Sequence, residues 1–155
     1  VKPEIRPAKS EEAEAIHEII RQAFAEYVGV IPVLPEASQE TLEELQTAIA
    51  TGTVLVALDG PTPVGTVRYH LYSDFLHVGR LAVLPAYRGQ RIGVALMEYL
   101  EELAPGLGRR ILRLSTRQSM PHNLAFYQRL GYQITKIEPY PKGPDINVWF
   151  AKELA

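Results

Sequence analysis

Apolar residues along the chain recur at two spacings, and these divide it into elements. Residues 3–7 read as a short first strand ending at Pro7. Ala13, Ile16, Ile19, Ile20, Ala23, Phe24 and Tyr27 fall three or four apart, the period of a helix with one buried face. Ser10 is the expected N-cap, with Glu11 and Glu12 suiting the first turn. Gly29, Pro32 and Pro35 turn 27–35 into a loop. Leu42, Leu45, Ala48 and Ile49 form a second helical stripe, with Ser38 as its expected cap and Gly52 at its end. Three strand-like runs follow, at 53–58, 64–72 and 75–84, separated by Asp59-Gly60-Pro61 and Ser73-Asp74. They read as an antiparallel meander, and Gly79 within the third suggests a bulge or a close backbone approach.

Beyond a short loop at 85–90, Ile92, Leu96, Tyr99, Leu100 and Leu103 line a third helix that stops near Pro105-Gly106. A buried strand at 110–116, a helix at 123–130 ended by Gly131, and strands at 132–137 and 146–152 complete the pattern. The strand–helix–strand passage from Leu76 to Thr116 implies a parallel pair. The fold class is therefore mixed α/β: a mostly antiparallel sheet of about seven strands with about four helices.

Composition narrows the function. The 155 residues carry 16 basic and 18 acidic side chains, a net charge of −2, which disfavours a nucleic-acid partner. There is no Cys, which removes thiolate metal sites and any cysteine nucleophile. His17, His70, His77 and His122 lack metal-ligand spacing, so no metal is expected. No apolar run approaches the roughly 18 residues of a membrane span, and a cytoplasmic location is the expectation. The length favours a single domain over residues 1–155.

The stretch from Leu81 to Ala95 holds the chemistry: a buried strand, a glycine-bearing turn, then a helix start. N–H groups at a helix start have no intrahelical acceptor, and the helix dipole adds partial positive charge. Gly89 and Gly93 would let oxygens approach the main chain, while Arg88 and Arg91 carry guanidinium donors suited to phosphate. These features describe a diphosphate cradle. No Gly-x-x-x-x-Gly-Lys-Ser/Thr loop and no dinucleotide-binding Gly-x-Gly-x-x-Gly after a strand is present.

At Val83-Leu84-Pro85 and Arg88-Gly89-Gln90-Arg91-Ile92-Gly93 the sequence resembles the GCN5-related N-acetyltransferase (GNAT) superfamily, whose coenzyme A motif is Arg/Gln-x-x-Gly-x-Gly/Ala. Arg91 stands where that family usually has glycine. Asn123 to Tyr132, with Phe126-Tyr127 and Gly131, is similar to the family's Asn-x-x-x-Phe-Tyr-x-x-x-Gly-Phe/Tyr helix. The resemblance implies a sheet splayed at the central parallel pair, with the pantetheine arm of acetyl-CoA between the two strands. Leu81, Ala82 and Val83 would lie along that arm. Arg88, Gly89, Gln90, Arg91, Ile92, Gly93 and Val94 would surround the diphosphate, and Asn123 would touch the cofactor.

The implied activity is that of an acyltransferase transferring groups other than aminoacyl groups, an N-acetyltransferase. An acetyl group would pass from the thioester of acetyl-CoA to a primary amine, by direct attack in a ternary complex. The resemblance places the general acid at Tyr127, whose phenol is protonated at neutral pH. His77 is a candidate base, with Asp74, His70, His122 or a water chain as alternatives. The loops at 27–35 and 138–145 would shape the acceptor site. Tyr27, Val28, Ile31, Tyr140 and Trp149 would offer lining, and Glu26, Glu36 or Glu138 could hold a cationic amine. A small-molecule amine is favoured, with a protein N-terminus or lysine as the peptide alternative. A non-catalytic acyl-CoA sensor is the reading from another class. A homodimer stays open, because many relatives pair.

Overall fold

A computed structural model describes residues 2–155. β1 (Glu4–Pro7), α1 (Ala13–Ala25) and α2 (Leu42–Ala50) lead into β2 (Val54–Asp59), β3 (Thr62–Leu71) and β4 (Leu76–Val83). Then come α3 (Ile92–Gly106), β5 (Ile111–Arg117), α4 (Pro121–Arg129), β6 (Gln133–Pro139) and β7 (Ile146–Glu153). The strands form one sheet in the order β1-β2-β3-β4-β5-β7-β6, antiparallel except for β4 beside β5.

The sheet has a helical layer on each face, which is why β2 reads as an unbroken apolar run. Val54, Val56 and Leu58 pack against Ile16, Ile19, Ile20 and Ala23 of α1 and Leu45 and Ile49 of α2. Leu55 and Ala57 point the other way, into the cluster holding Leu96, Met97 and Leu100 of α3 with Tyr127, Tyr132 and Phe150. A strand buried on both faces loses the polar–apolar alternation of a half-exposed strand.

Neither Ser10 nor Ser38 serves as the expected cap. A 3₁₀ turn at Ser10–Glu12 precedes α1. The Glu12 carboxylate accepts from the Lys9 N–H at 2.7 Å and is clamped by two Arg6 bonds of 2.8 and 2.7 Å, and no side chain caps the start of α1. For α2 the cap is Thr41. Its hydroxyl accepts from the Glu44 N–H while the Glu44 carboxylate accepts from the Thr41 N–H, a reciprocal capping box. Ser38 instead donates to the Pro35 carbonyl within a 3₁₀ turn at Glu36–Gln39.

The bulge also falls beyond the glycine that suggested it. Gly79 pairs in register with Arg68, and Ala82 with Thr66, so three β4 intervals oppose two on β3. The surplus is at Arg80–Leu81, and Arg80 takes the left-handed φ of +54°. Gly79 needs no such freedom.

The feature that sets up the site is the parallel seam. β4 and β5 pair only at Leu76↔Leu112 and His77↔Arg113. β4 continues to Val83 and β5 to Arg117 without further pairing, so the sheet is splayed from Val78 onward.

Candidate functional site

The gap between β4 and β5 exposes one edge of β4. The Leu84 N–H donates to the Val64 carbonyl on β3 at 2.9 Å. Main-chain groups alternate sides along a strand, so those of Ala82 also face β3, while those of Leu81 and Val83 face the gap. A strand edge left open in this way can accept an extended amide-bearing chain as an added strand. The Ala82 side chain is buried against the α1/α2 layer, and the side chains of Leu81 and Val83 are half-buried.

At the far end of β4 the chain makes a 3₁₀ turn at Pro85–Tyr87 and enters α3. The first main-chain bond of α3 runs from the Ala95 N–H to the Arg91 carbonyl at 3.0 Å. The N–H groups of Ile92, Gly93 and Val94 therefore have no acceptor within the helix. Gly89 has φ of +82° and Arg91 has φ of +62°, two left-handed residues around Gln90 that fold the turn tightly. All three are exposed. Arg91 is thus the residue before the helix and not its first turn, and it adopts a conformation that favours glycine. Such a conformation costs an L-residue about 1–2 kcal/mol. Arg91→Gly is expected to raise the unfolding free energy by about 0.5–1 kcal/mol, net of glycine's greater entropy when unfolded. A chemical denaturation midpoint measures it.

Gly93 is where the turn meets α4. A Cβ there would lie 3.3 Å from Phe126 Cζ and 3.9 Å from Val83 Cγ2, so the three residues converge at the mouth of the gap. Asn123, near the start of α4, donates from Nδ2 to the Thr116 hydroxyl of β5 at 3.3 Å, on the opposite wall. Thr116 was not singled out as a site residue, because nothing in its local spacing marks it, and Phe126 was marked only as part of the Phe-Tyr motif. The Arg88 guanidinium lies against α1, bonding the Glu26 carboxylate at 2.7 Å and the Ala23 carbonyl at 3.2 Å.

Tyr127 sits on the inner face of α4, 8% exposed, against Phe126, Tyr132 and Phe150. Burial pushes its phenol well above the ordinary value, and the Tyr27 phenol from the other layer of helices adds to the effect. Tyr127 stays protonated across the whole physiological range.

His77 is at the last paired position of the seam, half-buried, edge-on to Trp149 at 6.4 Å and Tyr72 at 6.3 Å. Burial first, and then the charges of His70 and Arg113, hold its pKa below 6.5. The imidazole is therefore neutral at pH 7. His70 and Asp74 are exposed near the β3–β4 turn, and His122 is exposed on α4. The described residues hold no group of three or more His, Asp or Glu arranged for a metal ion. None of their helices is long and apolar enough to cross a membrane.

The two loops that flank the gap are strapped to each other. Arg117 donates to the Val33 carbonyl and lies 3.6 Å from Asp145, with its guanidinium 4.3 Å from the Tyr140 ring centroid. Lys142 pairs with Glu36, and a Cβ at Gly143 would fall on the Val33 side chain. The three carboxylates considered for a cationic amine are all engaged: Glu26 with Arg88, Glu36 with Lys142, and Glu138 with the Trp149 indole N–H at 3.1 Å.

The family model described as the acetyltransferase (GNAT) family matches residues 13–132. An aminoalkylphosphonate N-acetyltransferase of Salmonella typhimurium is 33% identical over 84 residues, a match spanning 50% of this chain and 54% of that protein. The PaiA N-acetyltransferase of Thermoplasma acidophilum, solved with coenzyme A, superposes with a TM-score of 0.80 at 21% identity, covering 99% of each chain. Ard1 of Thermoplasma volcanium gives 0.83 at 19% identity, covering 100% of this chain and 99% of that one. These two likenesses concern the fold.

Proposed function

Given that the chain belongs to the acetyltransferase (GNAT) family, we propose that it is one such domain over its whole length and moves the acetyl group of acetyl-CoA to a small primary amine. The observation that carries the reading is the seam, which pairs at only two positions and then opens beside the Leu81 and Val83 main chain. The gap ends at the free N–H groups of Ile92, Gly93 and Val94, so an extended amide chain and its diphosphate find complementary partners in line. Gly89, Gln90 and Arg91 complete the cradle, and Asn123 closes the α4 side.

An alkyl amine has a pKa of roughly 10, so a proton must leave before attack. His77, neutral at pH 7, takes it directly or through water. The amine nitrogen adds to the thioester carbonyl, whose developing oxyanion accepts from a β4 main-chain N–H beside Val83. The carbon–sulfur bond then breaks, Tyr127 protonates the departing thiolate, and the second proton shed by the acceptor nitrogen returns to the Tyr127 phenolate. Transfer is direct, since the chain has no Cys to carry an acyl group. The strap ties the two loops to each other beside the gap, which supports a small acceptor over a peptide. The amine-acetylating relative from Salmonella agrees with an amine as acceptor.

The test is release of free CoA from acetyl-CoA across an amine panel, with calorimetry for CoA binding. Binding with turnover supports the enzyme. Binding without turnover on any amine leaves an acyl-CoA sensor, and no binding overturns the reading.

The base is tested by pH. With acceptor saturating, kcat is expected to rise through an acid limb below pH 6.5, and His77→Gln removes that limb. Persistence of the limb in the variant excludes His77. The same depressed pKa affects stability. The unfolded chain takes up the proton near 6.5 and the folded chain only at lower pH. His77's stabilising contribution is therefore complete above pH 6.5 and is lost as pH falls through the folded value.

A further inference from the structure

Among the described residues, one buried side-chain polar atom has no hydrogen-bond partner: Nη1 of Arg80. An unsatisfied guanidinium nitrogen is costly. Its backbone is costly as well, since Arg80 holds a φ of +54° in the β4 bulge although Gly79 stands immediately before it. Two penalties meeting on one residue call for a compensating role.

The charges around it show what is missing. Arg68 makes a two-pronged pair with Glu40 at 2.7 and 2.8 Å, both side chains buried. Arg117 has Asp145, and Lys142 has Glu36. Each of these cations has its own carboxylate. Arg80 does not: its Nε is 3.9 Å from Glu40 Oε2, an oxygen already held by Arg68. The other nearby carboxylates are engaged as well, Glu36 with Lys142 and Glu44 with the Thr41 N–H at the start of α2. On the side of β4 that carries α2 and the strapped loops, Arg80 is the cation that must share its carboxylate, Glu40, with another arginine. It directly precedes Leu81, whose main chain faces the gap.

Resting on the acetyltransferase reading, we propose that the acceptor is an amine that also carries an anionic oxygen group, such as a carboxylate, phosphate or phosphonate. Arg80, whose side chain is 26% exposed, holds that group through its guanidinium, and the group's arrival supplies the partner that the buried Nη1 lacks. The amine end is then left to face the thioester. The engagement of Glu26, Glu36 and Glu138 agrees, because no free carboxylate of that set awaits a polyamine.

The experiment compares kcat/KM for 2-aminoethylphosphonate and β-alanine with that for ethanolamine and putrescine, in the wild type, Arg80→Met and Arg80→Gly. Arg80→Gly relieves the backbone strain, so it stays folded even if Arg80→Met does not. The wild type is expected to favour the anionic amines by about 10- to 100-fold, the range of one charge-assisted hydrogen bond. Both variants should lose that preference, chiefly through KM. A wild-type preference for ethanolamine or putrescine overturns the proposal, as does an anion preference that survives in both variants. If CoA binds but no amine turns over, titration of 2-aminoethylphosphonate into the CoA complex decides. Binding lost in Arg80→Gly supports the role, and no wild-type binding overturns it. Failure to bind CoA overturns the acetyltransferase reading and this proposal together. Normal CoA binding without anion preference overturns this proposal alone.

Discussion

Tyr127→Phe is expected to lower kcat by about 10²- to 10⁴-fold, the span of a general acid, while CoA affinity stays within about twofold. The ring is buried against Phe126, Tyr132 and Phe150, and phenylalanine preserves those contacts. Only the proton donor is removed. Burial raises the phenol pKa, so wild-type activity should show no loss from Tyr127 ionisation up to pH 9. Steady-state kinetics beside a calorimetric CoA titration separate the two quantities. A variant with wild-type kcat would make Tyr127 a packing residue alone. A variant that loses kcat and CoA affinity equally would place it in cofactor binding.

Gly93→Asp is expected to weaken CoA binding by more than about 100-fold. Two effects act together. A carboxylate beside the free N–H groups of Ile92, Gly93 and Val94 would occupy them and repel a diphosphate, and like charges in contact cost several kcal/mol. The new side chain must also displace Phe126, whose Cζ lies 3.3 Å from the position of a Cβ. Gly93→Ala isolates the steric part and should lose far less. An Asp variant that binds CoA like the wild type would show that the diphosphate sits elsewhere, and the cradle would be abandoned.

The helices and the meander were legible because each is written in local periodicity. The α1 stripe from Ala13 to Ala23 and the α3 stripe from Ile92 to Leu103 repeat at helical spacing, and amphipathic burial requires that repeat. The run around Val54 to Leu58 announces a strand buried on both faces. The caps were less legible. Ser10 and Ser38 are sound cap residues by type, but Arg6 fixes Glu12 and the Pro35 carbonyl takes Ser38. The decisive partners come from the preceding strand and turn. The bulge was missed by one residue for a similar reason. Glycine marks where a backbone is free to distort, whereas the register between β3 and β4 decides where it does.

The sequence alone determined the order of elements, and it singled out the segment from Arg88 to Val94 as the proposed cradle and Tyr127 and His77 as the candidate pair. The elements and the segment depend on residue type and short spacing, and the role of Tyr127 on the family resemblance. Tertiary structure alone decided that the seam opens after two pairs, and that Arg88 turns toward Glu26. It also brought Phe126 to Gly93, strapped Val33 to Arg117, and left Arg80 sharing Glu40 with Arg68. Those outcomes depend on which side chains meet across distant strands, and on whether a charge finds its opposite there. Local pattern carries no record of that, because the partners lie tens of residues apart and compete for the same groups.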